Sequence, residues 1–123
     1  MANPNIVAVT NIVGNTLSAA VLTTATQLAS NAASSGKVFK INSIVIANID
    51  GTSAADVTVN IYSAAALGGT ASAIASTISV PADASLIVTD KTTAFYLLED
   101  RSIGALASAT GDLVATISFE EIT

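Results

Sequence analysis

Acidic side chains are the groups of this sequence best suited to chemistry. Adjacent carboxylates occur at Glu99-Asp100 and at Glu120-Glu121. A catalytic pair must share a proton on one side of the chain, whereas neighbours on a strand point to opposite faces. We therefore interpret both pairs as solvated charges at strand ends.

Oxygen ligands for a hard cation are concentrated in one loop, which holds Asn48, Asp50, Thr52 and Asp56. The spacing does not match an EF-hand, because the twelfth position counted from Asp50 is Ile61 and not a bidentate Glu. Asx-turn chemistry accounts for the same residues. No metal site is predicted, and the sequence leaves open whether Ca²⁺ binds near Asp50 and Asp56.

The composition does not supply the residues that usually form a catalytic nucleophile–base pair. The chain has no His and no Cys, so it lacks the commonest proton-transfer group and any thiolate. Nothing singles out a Ser–Lys pair, and Gly68-Gly69 lacks the Lys of a phosphate-binding loop. We expect no enzymatic activity, no catalytic residue and no cofactor.

The charge balance bears on the partners. Four basic residues face nine acidic ones, a net charge of −5. This charge repels the phosphates of nucleic acids. No apolar run reaches the roughly 18 residues of a membrane span, and the N-terminus does not resemble a signal peptide. We therefore expect neither nucleic acid nor membrane as a partner, and synthesis in the cytoplasm. A hydrophobic content of 51% favours faces buried between copies or on a larger assembly.

The elements that must carry these residues are strands. Short β-branched runs alternate with turn residues, the pattern of an all-β protein. We predict a single antiparallel β-sandwich, jelly-roll or Ig-like, of roughly eight to ten strands. Residues 1–13 are predicted to form an N-terminal arm or first strand that ends at a Gly14-Asn15 turn, and residues 14–123 the sandwich. Residues 17–28 are expected to hold one strand or two, and residues 30–36 a loop. Residues 63–75 are left open between a long loop and a hairpin tip.

The predicted core comes from side chains that alternate along these strands. In the clearest case, Val57, Val59 and Ile61 face the core while Thr58, Asn60 and Tyr62 face out. The side chains predicted to be buried are Ile44, Ile46, Val57, Val59, Ile61, Leu86, Val88, Leu113, Ala115 and Ile117.

Several stretches of the chain resemble a known family. They read VPADASLIV over 80–88, FYLLED over 95–100, ALASATGDL over 105–113 and ISFEEI over 117–122, with a weaker match at 31–48 and at Asp50-Gly51. Together they resemble small β-sandwich virion proteins of tailed bacteriophages, notably those that infect marine cyanobacteria. The sequence departs from that family at Glu99-Asp100-Arg101, where the family has a longer turn with Gly-Asp.

The resemblance implies a scaffold without catalytic residues. We expect a virion structural protein, foremost a capsid decoration (cement) protein that binds the major capsid protein and its own copies, with trimers favoured. The alternatives are a neck, tail or fibre-attachment component, or a carbohydrate-binding sandwich. The absence of Trp and of an exposed aromatic cluster argues against the last.

The residues expected at an interaction surface lie in two places. The N-terminal segment is apolar on both parities, which is unusual for a terminus and favours strand addition to a neighbouring sheet. Tyr96 is predicted to be a rim residue with a wet hydroxyl. Arg101 is predicted to pair with a carboxylate of another subunit or to cap its own turn. The full set is Ile6, Val7, Val9, Ile12, Val13, Tyr96 and Arg101.

Overall fold

The computed structural model describes residues 4–123 and is built from strands and turns, with one short 3-10 turn at Lys91–Thr93. Every strand pair is antiparallel. The predicted all-β sandwich is confirmed. The strands are β1 Ile12–Ala20, β2 Thr26–Asn31, β3 Val38–Asn48, β4 Ala55–Ala64, β5 Gly68–Val80, β6 Ser85–Thr89, β7 Phe95–Leu97, β8 Arg101–Ala107 and β9 Leu113–Ile122.

Two sheets face each other across the core. Sheet A has the order β1-β9-β3-β6, with β7 also paired to β3, and sheet B has the order β2-β8-β4-β5. The chain crosses between the sheets at most connections, and first and last strands lie side by side. Of the two sandwich types predicted, this order is that of a jelly roll with β7 added.

The core is aliphatic, as the composition requires. Seven of the ten side chains predicted to be buried are no more than 1% exposed, and Ile61, Leu86 and Val88 are only partly buried at its margin. A stacked pair, Phe39 and Phe119, with ring centroids 5.1 Å apart, closes one end of the core. Buried Asn side chains fasten the loops: Asn48 Nδ2 donates to the carbonyls of Ser53 and Val80, each at 2.9 Å.

A β-bulge in β3 explains why this strand is apolar on both parities. Phe39 and Ile41 face the core before the bulge, and Ile44 and Ile46 face it afterwards. The register against β9 shifts between Ile41 and Ser43, so one extra residue exchanges the two faces. The apolar residues of both parities therefore serve one core.

The predicted turn at Gly14-Asn15 is wrong. Both residues lie inside β1, which pairs with β9 without any shift in register. Pairing along the whole length of β9 outweighs the local turn preference of the Gly-Asn dipeptide. Residues 17–28 are divided between β1 and β2, and β2 continues to Asn31, into the stretch expected to be a loop.

Residues 63–75 form the tip and one arm of a β4–β5 hairpin, the second of the two predicted forms. The tip is a two-residue turn in which Ala66 and Leu67 both have positive φ, 55° and 60°, and the Gly68 N–H donates to the Ala65 carbonyl at 3.1 Å. Three side chains of the adjoining strands and turn hold the tip by accepting its N–H groups. The Asp100 carboxylate accepts from Ala65 (3.0 Å), the Ser30 hydroxyl from Ala66 (2.9 Å) and the Ser102 hydroxyl from Leu67 (2.8 Å).

This hairpin tip also buries Tyr62. The ring shares its parity with Thr58 and Asn60, as predicted, yet it is only 8% exposed and lies outside the main core. A Cβ built on Gly104 would lie 2.8 Å from Leu67 Cδ2 and 3.1 Å from Tyr62 Cε1. Leu67, Tyr62 and the bare Cα of Gly104 thus form a small second cluster on the outer face of sheet B.

Candidate self-association surface

Strand β1 is the most exposed regular element of sheet A. Of its nine residues only Asn15 and Ala19 are even partly buried. Val13 and Leu17 share the parity of core residues, since Leu17 lies opposite Ile117, yet both remain about half exposed. Sheet B therefore gives little cover to two apolar side chains of β1, Val13 and Leu17, whereas Ala19 further along the strand packs against the core.

Half of the main-chain N–H and C=O groups of β1 do not bond to β9, and the hydrogen bonds of the ladder show which residues carry them. Asn11 and Thr123 exchange both N–H···O bonds (3.2 and 3.0 Å), and the Val21 N–H donates to the Leu113 carbonyl at 2.9 Å. Hydrogen-bonded and non-hydrogen-bonded pairs alternate in an antiparallel ladder, so the odd-numbered residues of β1 bond to β9. The N–H and C=O groups of the even-numbered residues point away from the sheet. We call this row the β1 edge: Ile12, Gly14, Thr16, Ser18 and Ala20.

The β1 edge lacks the protection found on the other outer strands. β2 is shorter and contains a register shift. β5 contains three shifts and a left-handed Thr77 with φ 50°. The edge formed by β6 and β7 is interrupted by the 3-10 turn at Lys91–Thr93. Bulges, breaks and short length prevent edge-to-edge pairing, whereas β1 is regular and has neither Pro nor charge.

The electrostatics around β1 are weak. The first charged residue of the chain is Lys37, so all of β1 and β2 are uncharged. The nearest acid on the inner side is Glu121, whose carboxylate accepts from Asn15 Nδ2 at 2.7 Å and forms an ion pair with Lys37 Nζ at 3.3 Å. On the outer side, Ser18 and Thr116 hydroxyls are hydrogen-bonded at 3.0 Å. Glu120, opposite Gly14 on the same outer side, accepts from Asn42 Nδ2 at 3.2 Å. A second strand that approaches β1 therefore meets no charge on β1 itself, and both acids of the neighbouring strand are hydrogen-bonded.

The predicted N-terminal interaction residues divide between a turn and β1. Ile6 and Val7 are exposed and Val9 is half-buried, but they do not form an extended arm. Asn5 closes a turn there, because its side-chain oxygen accepts from the Val7 N–H at 3.0 Å and its carbonyl from Ala8 at 3.1 Å. Ile12 and Val13 are the members of the set that lie in β1.

Tyr96 and Arg101 lie away from β1. Tyr96 is exposed on β7, and β3 and β9 separate it from β1 in sheet A. Arg101 Nη1 donates to the carbonyls of Ser63 (2.9 Å) and Asp100 (2.8 Å), so the guanidinium fastens the β4–β5 hairpin to the turn before β8. This contact corresponds to the predicted capping role. Whether any residue of the predicted set touches another subunit stays a prediction.

Sequence reasoning missed Leu17, which is exposed on the same side of β1 as Val13. The expected turn at Gly14-Asn15 separated these two residues, although they are four apart on one parity. The signal that could have found them is the uninterrupted run of uncharged residues before Lys37. Ile49 and Ile87, each 62% exposed, were also missed, and they lie outside β1.

Three aspartates, Asp50, Asp90 and Asp100, hold turns of the fold, whereas Glu99 is only 6% exposed, so the prediction that it is a solvated charge is wrong. Asp50 Oδ1 accepts from the Thr52 N–H (2.8 Å), the Thr52 hydroxyl (2.9 Å) and the Ser53 N–H (3.3 Å). Hydrogen bonds from Thr52 hold the pKa of Asp50 below its ordinary value of 3.8. Thr92 lowers the pKa of Asp90 in the same way, at the 3-10 turn. Within residues 4–123 there is no group of three or more acidic side chains placed to hold a metal ion.

The fold and the β1 edge can now be compared with known proteins. No protein-family model matches the chain, and no curated protein does. A solved structure of Bacillus endospore appendages, described as a novel family of disulfide-linked pili, matches with a TM-score of 0.54 and 20% identity. The match covers 100% of this chain and 94% of the other. This chain shares its fold with a pilus protein.

This comparison corrects the predicted function. The structure that matches the whole chain comes from a bacterial appendage and not from a phage particle, so the prediction of a capsid decoration protein on a virion is wrong. The alternatives of a neck or tail component and of a carbohydrate-binding sandwich are not retained, and a capsid partner has no support. The resemblance of the sequence to phage virion proteins stays a prediction. No helix within residues 4–123 is long and apolar enough to cross a membrane.

Proposed function

We propose that this protein is a non-enzymatic structural subunit that assembles with copies of itself into a polymer on a surface or outside a cell. The observation that carries the proposal is the β1 edge. It is a regular strand with main-chain groups that do not bond within the sheet, and it exposes two apolar side chains, Val13 and Leu17, on its core-facing side. A soluble monomer that kept such an edge free would be prone to pairing with other chains.

Two further observations support this function. The chain shares the fold of an appendage protein over its full length. Asp50, Asp90 and Asp100 hold turns together, and the sequence has no His or Cys that could work with a carboxylate in catalysis. A scaffold with one prominent exposed edge is suited to assembly.

The proposed polymer differs in its chemistry from the disulfide-linked pili whose subunit fold this chain shares. This chain has no Cys, so its copies cannot be joined through sulfur. Hydrogen bonds between strands and apolar burial must hold them instead. Assembly should therefore be unaffected by reducing agents and reversed by urea.

Sedimentation velocity and negative-stain electron microscopy of the purified full-length chain test this function. We expect oligomers or filaments that grow with protein concentration and persist in millimolar dithiothreitol, an excess of about 10³-fold over micromolar protein. Added salt should leave assembly intact or strengthen it, since screening reduces repulsion between copies of net charge −5. A chain that stays monomeric up to about millimolar concentration, where even very weak self-association is visible, would contradict the proposal.

A further inference from the structure

The occupant of the β1 edge can be identified from the edge itself. A partner strand must be regular, about as long as β1 and free along one side. β2 and β5 contain register shifts, and the β6–β7 edge is interrupted. The strand of this protein that meets all three requirements is β1 of a second copy.

We propose that two copies pair their β1 strands antiparallel about a two-fold axis, with Val13 of each copy opposite Leu17 of the other. The inference rests on the proposed function of self-assembly and specifies its first interface. Such a contact is isologous, since the same surface serves both copies.

The register follows from two requirements. The free N–H and C=O groups belong to even-numbered residues, so even-numbered residues must pair with even-numbered ones across the axis. Side chains of directly opposed residues lie on the same face, and apolar pairs there stabilise a sheet. Placing Asn15 on the axis meets both requirements. Gly14 then pairs with Thr16, Ile12 pairs with Ser18, and Val13 meets Leu17 twice.

The same register is compatible with the charges. The strand itself carries none. The Cα atoms of the two Glu121 residues are three strand spacings apart across the sheet and four residues apart along the strands, so their separation is at least roughly 14 Å. This distance exceeds the Debye length of about 8 Å at physiological salt, and each carboxylate is already paired with Lys37. Repulsion between the two acidic subunits therefore has little effect at this interface.

The pairing joins the two copies of sheet A into one continuous sheet. The core-facing faces of the two copies of sheet A lie on the same side of this joined sheet. Val13 and Leu17 of both copies, four side chains in all, therefore form the floor of a groove between the two copies of sheet B. An isologous contact closes on itself. The polymer would then be built from dimers joined by a second contact elsewhere on the surface.

Proline substitutions distinguish the contribution of β1 to this interface from its contribution to the stability of the monomer. Ser18→Pro removes an N–H that points into solvent in the monomer and into the partner in the dimer, a position at which an edge strand tolerates Pro. We expect a monomer of near-normal stability whose dimer dissociation constant rises at least about tenfold. Leu17→Pro, the matched control, removes an N–H that bonds to β9 and should destabilise the monomer itself.

Cysteine substitution tests the register in the intact strand, because the chain has no other Cys. On the proposed axis, Asn15 of one copy lies opposite Asn15 of the other as a non-hydrogen-bonded pair. The Cα atoms of such a pair are about 4.5 Å apart, which permits a disulfide between cysteines at this position. Asn15→Cys should form a covalent dimer under mild oxidation. Val13→Cys and Leu17→Cys should link efficiently when mixed and poorly when alone. Ile87→Cys, at a more accessible residue on β6, is the control and should not link to itself.

The outcomes distinguish the interface from the proposed function. Oligomers that form in wild type and persist unchanged in Ser18→Pro would overturn the β1 pairing and leave self-assembly in place. Preferential linkage of Asn15→Cys to Ile87→Cys would replace the two-fold pairing with a head-to-tail one. A wild-type chain that is monomeric at every concentration would overturn both.

Discussion

Leu17 lies directly opposite Ile117 in the β1–β9 ladder, yet Ile117 is 1% exposed and Leu17 is 51% exposed. The two side chains share a face of sheet A and are adjacent across it. The change from buried to exposed within one strand spacing marks where sheet B ends above sheet A. This boundary separates the part of the sheet that stabilises the monomer from the part available to another copy.

A substitution in β3 tests the assignment of the core. Ile46→Ala should reduce the free energy of unfolding by about 2–5 kcal/mol, because it removes apolar contacts and leaves a cavity at a fully buried position. Ile87→Ala, at a 62% exposed position, should cost less than about 1 kcal/mol. Urea denaturation of both variants measures the difference. Equal losses would mean that Ile46 is not a core residue.

A matched pair of glycines tests the cluster on the outer face of sheet B. Gly104→Ala places a methyl group against Leu67, Tyr62 and the Thr26 carbonyl, and overpacking should cost about 1–3 kcal/mol. Gly14→Ala has nothing within 4 Å and should be neutral or stabilising by up to about 1 kcal/mol. Thermal melts under conditions where the protein is monomeric give both values. A harmless Gly104→Ala would show that the hairpin tip does not cover this position.

The hairpin tip holds Ala66 in a left-handed conformation, with φ 55°. Glycine adopts this conformation without the steric cost that a Cβ incurs, so Ala66→Gly should raise stability by about 1 kcal/mol. The same change at Ala20, an exposed position in β1, should lower it by about 0.5–1 kcal/mol. Opposite signs in the two denaturation experiments are the expected result, and a loss at both positions would contradict it.

Acid should weaken the fold through Asp50 and Asp90. Both carboxyls have a pKa below 3.8 in the folded chain because Thr side chains and N–H groups donate to them. A depressed folded pKa contributes stability that is present above the unfolded value and lost as the pH falls through the folded one. Urea midpoints should fall below about pH 4, and Asp90→Asn should flatten this decline. An identical pH profile in Asp90→Asn would exclude a role for Asp90.

Two deletions separate the N-terminal turn from β1. Removal of residues 2–9 leaves Thr10 and Asn11 bonded to Thr123 and the β1 edge complete, so assembly should persist. Removal of residues 2–13 takes Ile12 and Val13 as well and should abolish it. Size-exclusion chromatography with light scattering reads both. Loss of assembly in the shorter deletion would instead place the interface in the turn around Asn5.

The sequence predicted the sandwich and most of its core because both depend on alternation within single strands. Val57 and Val59 are buried on the parity predicted for them. The parts that failed depend on pairing between distant segments. The Gly14-Asn15 dipeptide favours a turn locally, and it is extended here because both residues pair with β9. Tyr62 lies on the predicted face, but its burial comes from Leu67 and the hairpin tip.

The candidate surface was only partly predictable for the same reason. Ile12 and Val13 were recognised as too apolar for a free terminus. The exposure of Leu17 depends on where sheet B stops, which no local pattern records. The free main-chain groups of β1 depend on which residues bond to β9, and this parity is a property of the ladder.

The adjacency of first and last strands has a mechanical consequence. If copies join through β1, tension across the junction passes from β1 into β9 and on into β3, along main-chain hydrogen bonds that lie in one continuous sheet. Load applied in this plane, perpendicular to the strands, stretches the bonds along β1 together and does not peel them one at a time. Sheet B and its loops lie outside this path. Substitutions there should leave the strength of the β1 junction unchanged, whereas a defect in β9 should weaken it.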